Sequence, residues 1–351
     1  MGIDLLPDGN NQINLKFYKN LAIDSMAHLS SDNLFVVFIS INNILTLIYI
    51  NNKNSLISYD LINEKKINEI KMPHTYLINF IRYYLDIINK RDLILSVENY
   101  ENEIRLWDYK NFESLLFIKQ IYKIGIISHS CFLNDNNLIY IALGNSYIHL
   151  EKIQPIKVID LNGNTIKQLN DSYNENDSVM TIESFYDNKL KKNYIISGNL
   201  NYIKSYDYND NKLYHKYEDT EQTKSSYHSH TSLIITNKED LILIMESSYD
   251  SNIRVWNFHS AELLIKIKSI SNGNLNSICL WNSDYLLVGC DDKTIKVIDL
   301  NKRKVISSLK GHEQCVLTIR KLIHPKYGEC LISQGFDKDT IKLWINKNYK
   351  K

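Results

Sequence analysis

Glycine and proline are scarce in this chain of 351 residues, numbering 11 and 4. Asparagine, lysine, isoleucine and tyrosine are abundant instead, a bias expected of an AT-rich genome, and the many asparagines are given little weight on that account. Cysteine is rare as well. Cys131, Cys279, Cys290, Cys315 and Cys330 form no CxxC pair, so neither a metal site nor a disulfide framework is expected of them. An odd count without a secretory signal suits a reducing compartment, and the expectation is buried free thiols in a cytoplasmic protein, with the nucleus left open. Residues Met1 to Asp4 lack the basic start and apolar core of such a signal, and Leu6 stands where a myristoylation site needs Ser or Thr. No cofactor is implied.

An excess of either charge is also missing. A net charge of +1 excludes a protein built around phosphate neutralisation, so nucleic acid is not an expected ligand. Long apolar runs are absent. The most apolar stretch, Leu34 to Ile50, is short for a membrane span and carries Ser40, Asn42 and Asn43 in its middle, so it reads as two strands and a turn, and no membrane insertion is expected.

What the chain does have is a repeat. IRLWDY (Ile104 to Tyr109), IRVWNF (Ile253 to Phe258), IKLWIN (Ile341 to Asn346), two copies of IKVIDL (from Ile156 and from Ile295), LISYDL (from Leu56) and IKSYDY (from Ile203) each close an apolar β-run. The residues after the closing position are Asp60, Asp108, Asp160, Asp207, Asn257, Asp299 and Ile345, with steps of 48, 52, 47, 50, 42 and 46. Those steps approach the ~40–45 residues of a four-stranded propeller blade. Short strands at this spacing, separated by turn residues and without helical periodicity, give the expected fold class: all-β, a seven-bladed propeller of four-stranded antiparallel blades. After Trp344 no outer strand is left for the last unit. Residues 13–21 alternate apolar and polar, so the N-terminal strand is expected to complete the last blade and remove its open edge. One domain over 1–351 follows, with blades near 22–72, 73–120, 121–170, 171–218, 219–268, 269–310 and 311–351.

These residues resemble the WD-repeat family of β-propellers over nearly the whole chain. The resemblance implies a buried network of a His before the inner strand, a Ser or Thr on the second strand, an Asp in the following turn and the Trp of the third. The last blade keeps the whole set, Gly311-His312, Ser333, Asp337 and Trp344. The second keeps His74, Ser96 and Trp107 with Asn99, Tyr100 and Glu101 around the Asp position, and the fifth keeps His228, Asp250 and Trp256 with Glu246 near the hydroxyl position. His312, Ser333 and Asp337 also spell a hydrolase triad, but their spacing is that of the structural set.

The expected function is a non-catalytic protein-interaction scaffold, a subunit of a larger complex that binds a peptide or partner domain over the narrower propeller face. In the family the residue before the turn Asp sits on that face. Carried over, this selects Tyr249, Asp291 and Phe336, with Tyr100 as a fourth from the blade lacking the Asp. Alternatives are a propeller-channel enzyme of hydrolase or lyase type and an adaptor of a ubiquitin ligase. The inner strands carry Arg82, His129, Glu183, Arg320 and Lys321 as their ionisable residues, which includes one carboxylate and so no paired acid and base. An adaptor would show Arg where Lys110 follows Trp107-Asp108. The isolated arginines lack the paired motif of phosphoinositide-binding propellers. Two insertions, Asn145 to Pro155 with Tyr147, His149 and Glu151, and Asn170 to Ser178, read as surface loops.

Overall fold

Residues 13–21, 34–71, 73–98, 100–122, 125–146, 156–169, 178–221, 229–238, 240–336 and 341–347 are described by a computed structural model. Their strands pair into seven antiparallel sheets of four, and six of these are consecutive in sequence. The first, second, third and fourth strands of each such sheet run from the centre outward. The seventh takes its inner three strands from Val316–His324, Gly328–Gly335 and Ile341–Asn346 and its outer strand from Leu15–Asn20. Leu15 pairs with Asn346, Phe17 with Trp344 and Asn20 with Lys342. The expected closure by the N-terminal strand is therefore present, two residues shorter at its start and one at its end than 13–21. The apolar stretch after Leu34 forms Phe35–Ile39 and Leu45–Ile50 around a turn, as its interrupting Ser and Asn residues require.

The apolar side chains gather into seven clusters, and each lies between two neighbouring blades. Leu47 and Tyr49 face the last blade, while Ile48 and Ile50 of the same strand face the second. A strand buried on both faces shows a continuous apolar run rather than an alternating one. That is why all six residues of Leu45–Ile50 are buried.

The seven innermost strands touch in a closed cycle, each meeting the next and Val316–His324 meeting Phe35–Ile39. In six blades the inner strand begins with a bulge, which frees one residue to reach sideways. Thr231 Oγ1 donates to the carbonyl of Leu275 at 2.7 Å and Asn276 Nδ2 to that of Val316 at 3.0 Å, while Ser128 makes the matching bond to Val179. These links join the start of one inner strand to the start of the next. The inner strands therefore run parallel, and every turn between a first and second strand lies at the same mouth of the ring.

Few glycines serve the turns. Among the described residues seventeen non-glycine positions have positive φ, and seven of them are asparagines: Asn43, Asn54, Asn102, Asn136, Asn137, Asn201 and Asn211. Asparagine tolerates the left-handed region better than other side chains with a β-carbon. The small weight given to asparagine in the sequence is thereby corrected, since these residues do the work that glycine does elsewhere.

Candidate functional site

One mouth of the ring, which the family resemblance makes the narrower face, is built from the turns joining second to third strands and from the loops that lead into the next blade. At three successive turns the same backbone bond recurs. Tyr249 N–H donates to the carbonyl of Ser229 at 3.1 Å, Asp291 to that of Asn274 at 3.0 Å and Phe336 to that of Cys315 at 3.0 Å. Tyr249, Asp291 and Phe336 thus occupy one equivalent rim position on blades five, six and seven. Tyr249 is exposed, whereas Phe336 is half-buried. Asp291 is committed elsewhere, because its carboxylate accepts from the N–H of Asn274 and from Asn276 Nδ2 at 3.2 and 2.9 Å. Tyr100 stands apart from this trio. It is 74% exposed and packs against Tyr76 with ring centroids 4.5 Å apart, while the Glu98 carboxylate accepts its N–H.

Beneath the rim lie the buried polar networks. In the last blade Trp344 Nε1 donates to Ser333 Oγ at 2.7 Å, and the same oxygen lies 2.7 Å from His312 Nε2. Asp337, the fourth member expected, lies outside the described residues. A β-carbon on Gly311 would stand 3.0 Å from the Trp344 ring, so the glycine lets the indole approach the loop. The hydroxyl bridges two ring nitrogens in a site where all three residues are buried, which leaves it no approach to a substrate.

The second blade repeats the arrangement with a different carboxylate. Trp107 Nε1 donates to Ser96 Oγ at 2.9 Å, Ser96 lies 2.6 Å from His74 Nε2, and His74 Nδ1 is 2.9 Å from Glu103. Glu103 opens the third strand, Glu103–Asp108. Around the turn, Glu101 pairs with Lys119 at 3.0 Å, and Asn99 lies outside the described residues. Burial pushes the His74 pKa down to about 3, with the positive charges of Arg105 and Lys119 adding to the effect. A neutral imidazole accepts at Nε2 from Ser96, while Nδ1 faces the Glu103 carboxylate without the alignment of a hydrogen bond.

Blade five departs further. Glu246 fills the hydroxyl position, and its carboxylate meets His230 Nδ1 at 2.9 Å and Arg254 at 3.2 Å. His230 is the histidine that meets Glu246, and the expected His228 lies outside the described residues. Trp256 Nε1 has no hydrogen-bond partner among the described residues. Arg254, 1% exposed, also holds Asp219 at 2.7 Å and pairs with Asp250. Despite its burial, hydrogen bonds to Arg254 and Ser248 hold the Asp250 carboxyl well below its usual range.

Arg254 shows a signal that the motif alone did not convey. The second position of the repeat is basic in six of seven blades, as Arg105, Lys157, Lys204, Arg254, Lys296 and Lys342. Arg105 pairs with Glu103 at 2.8 Å, Lys296 with Asp292 at 2.6 Å, and Lys157 donates to the carbonyl of Ile121 at 2.6 Å. Lys296 and Lys157 thus tie the third strand to a turn and to an incoming loop, while Arg105 pairs within its own strand.

Among the channel residues, the structure brings Arg82, His129 and Glu183 together from three consecutive inner strands. Arg82 lies 2.8 Å from His129 Nδ1 and 3.2 Å from Glu183, and it also donates to the carbonyl of Ser130 at 2.8 Å. The one carboxylate is thus neutralised by a guanidinium. Lys321 donates to the carbonyl of Trp281 and pairs with Glu329, while Arg320 donates to the carbonyl of Ile319. Tyr147, His149 and Glu151 of the third-blade insertion lie outside the described residues, as do residues 170–177.

Seven closed four-stranded blades define a β-propeller. The WD domain, G-beta repeat family matches residues 266–299, which run from the outer strand of blade five through the third strand of blade six. The chain thus carries one matched WD repeat within a seven-bladed β-propeller. It is similar to the U3 small nucleolar RNA-associated protein 21 homolog of Schizosaccharomyces pombe, with 24% identity over 29% of this chain and 11% of that protein. It is also similar to the probable coatomer subunit beta' of the same organism, with 25% identity over 36% of this chain and 16% of that protein. The matches therefore span well under a fifth of either relative. No described helix is long and apolar enough to cross a membrane.

Proposed function

We propose that the whole chain acts as one non-catalytic propeller domain that scaffolds protein–protein contacts, binding a peptide or partner domain over the narrower face. The observation that carries this reading is the shared backbone bond of Tyr249, Asp291 and Phe336, which sets two aromatic side chains at one level on a rigid rim. Aromatic anchors on a fixed frame order little on binding and dominate interface energies. Asp291 acts here by positioning Asn274 and Asn276, and contact with the partner falls to Tyr249 and Phe336. Tyr100, paired with Tyr76, forms a second aromatic point on blade two. The relatives' names, one RNA-associated and one a coatomer subunit, support membership in a larger assembly. Five free cysteines, four of them buried, support a reducing compartment such as the cytoplasm.

Proximity capture from cells with the intact chain and with a Tyr249→Ala, Phe336→Ala variant tests the assignment. Loss of the same partners from a variant with an unchanged melting temperature is expected. An unchanged partner set removes the narrower-face assignment.

A further inference from the structure

The rim bond of blade five joins Tyr249 N–H to the Ser229 carbonyl, and the next residue on each side belongs to one buried ionic cluster. Asp250 follows Tyr249, and His230 follows Ser229. His230 Nδ1 meets one oxygen of Glu246 at 2.9 Å, Arg254 lies 3.2 Å from the other, and the same guanidinium pairs with Asp250. Arg254 therefore ties both flanks of the rim bond together. Ser248, which precedes Tyr249, donates to Asp250 and accepts from Arg254 at 3.1 Å.

The turn is also held from outside. Asn252 donates to Asp250 through its backbone N–H at 3.1 Å and its Nδ2 at 2.8 Å, while Ser251 Oγ donates to the carbonyl of Gly273. Gly273 precedes Asn274, whose carbonyl accepts the N–H of Asp291, so the rims of blades five and six share one frame. Blade six solves the same problem differently. Lys296 pairs with Asp292 there, but it stands opposite Val288, where Arg254 stands opposite Glu246. The rim residue of blade six, Asp291, reaches the incoming loop with its own carboxylate, through Asn274 and Asn276. In blade five that tie is made beneath the rim, and Tyr249 keeps its side chain 46% exposed.

A buried ionic cluster often adds little stability over packed apolar residues, because desolvation offsets the attraction, but its directed bonds fix a geometry. Arginine suits that task. Its planar fork serves Asp219, Glu246, Ser248 and Asp250 at once, which a lysine ammonium on a flexible stem does not reproduce. We infer that Arg254 is a positioning residue for partner contact: by locking Asp250 to Glu246 and His230, it holds Tyr249 at the rim position from which the ring meets a bound peptide or domain. The inference rests on the reading of the narrower face as the docking surface.

Fluorine NMR of the full chain carrying 3-fluorotyrosine at position 249 tests the inference. One narrow resonance is expected in the otherwise natural chain, and Arg254→Lys should shift and broaden it at a temperature where circular dichroism shows the variant folded. If Arg254→Lys does not fold, Glu246→Gln takes its place, because it keeps the side-chain shape and removes the charge between His230 and Arg254. An unmoved resonance overturns the inference. Ser333→Ala, which weakens a different blade, should leave the signal where it was, and a signal that moves there as well marks general loosening and also overturns it. In proximity capture, Arg254→Lys should recover about tenfold less of the partners that Tyr249→Ala, Phe336→Ala loses. Full recovery by a variant with a moved resonance counts against the positioning role. If Tyr249→Ala, Phe336→Ala loses no partner, the docking reading fails and takes the inference with it, and the NMR result tells that failure from a failure of Arg254 to hold Tyr249.

Discussion

Glu103 lies 2.9 Å from Nδ1 of His74 and supplies from a strand the carboxylate that the family pattern takes from a turn. Because the imidazole beside it is buried and neutral, protonation opposes the fold. The unfolded histidine takes up a proton near pH 6.5 and the folded one only near pH 3. Stability is therefore unaffected above pH 6.5 and falls as pH drops toward 3, by at most about 1.4 kcal/mol per pH unit. Thermal melts at pH 7, 6 and 5 are expected to fall more steeply for the natural chain than for His74→Asn.

Arg254 neutralises three carboxylates at once, Asp219, Glu246 and Asp250. Arg254→Met leaves Glu246 and Asp250 without their guanidinium in the interior, with Asp219 kept by Lys266, and should cost about 3–5 kcal/mol by urea unfolding. Arg254→Lys keeps a charge but loses the planar fork, so an intermediate loss is expected. Lys189→Met breaks an exposed pair with Asp240 and should change stability by no more than about 0.5–1 kcal/mol.

Ser333 is fully buried between His312 and Trp344. Ser333→Ala should destabilise the chain by about 1–3 kcal/mol, because His312 and Trp344 each lose a buried hydrogen bond. The natural protein should show no labelling by a fluorophosphonate serine probe, and a labelled Ser333 would contradict the structural role of the set.

Thiol reactivity should sort by burial. Cys315 is the one half-buried cysteine, while Cys131, Cys279, Cys290 and Cys330 are buried. Burial pushes the Cys290 and Cys330 thiols up to about 12 and raises Cys131 further. Timed alkylation followed by peptide mass spectrometry should modify Cys315 first and the others only on unfolding.

The blades were legible because their signal is periodic. A third strand that must pack against two neighbours repeats its apolar residues every blade, and the motif around Trp107, Trp256 and Trp344 survives even where Tyr59 and Ile159 replace the indole. The networks were only partly legible, because hydrogen bonding tests geometry and not spacing. Glu103 faces His74 from the start of a strand rather than from a turn, and His230, which the spacing did not single out, meets Glu246. The asparagine staples were hidden in composition. Asn54 and Asn102 hold left-handed turns while bonding the next blade, Asn102 accepting from Ile127 N–H and donating to the Gly125 carbonyl, both at 2.8 Å. Nothing in a bare count of asparagines separates those from the rest.

Ring closure also sets a timetable. Leu15 and its partner Asn346 are 331 residues apart. At about 5–20 residues per second, the opening strand leaves the ribosome roughly 17–66 s before its mate is made. Blades assembled from consecutive hairpins can fold as they emerge, yet Leu15–Asn20 must wait unpaired until the end. Its docking is the most non-local step in the molecule, and so the slowest pairing to form unaided and the interval during which a nascent chain most needs guarding.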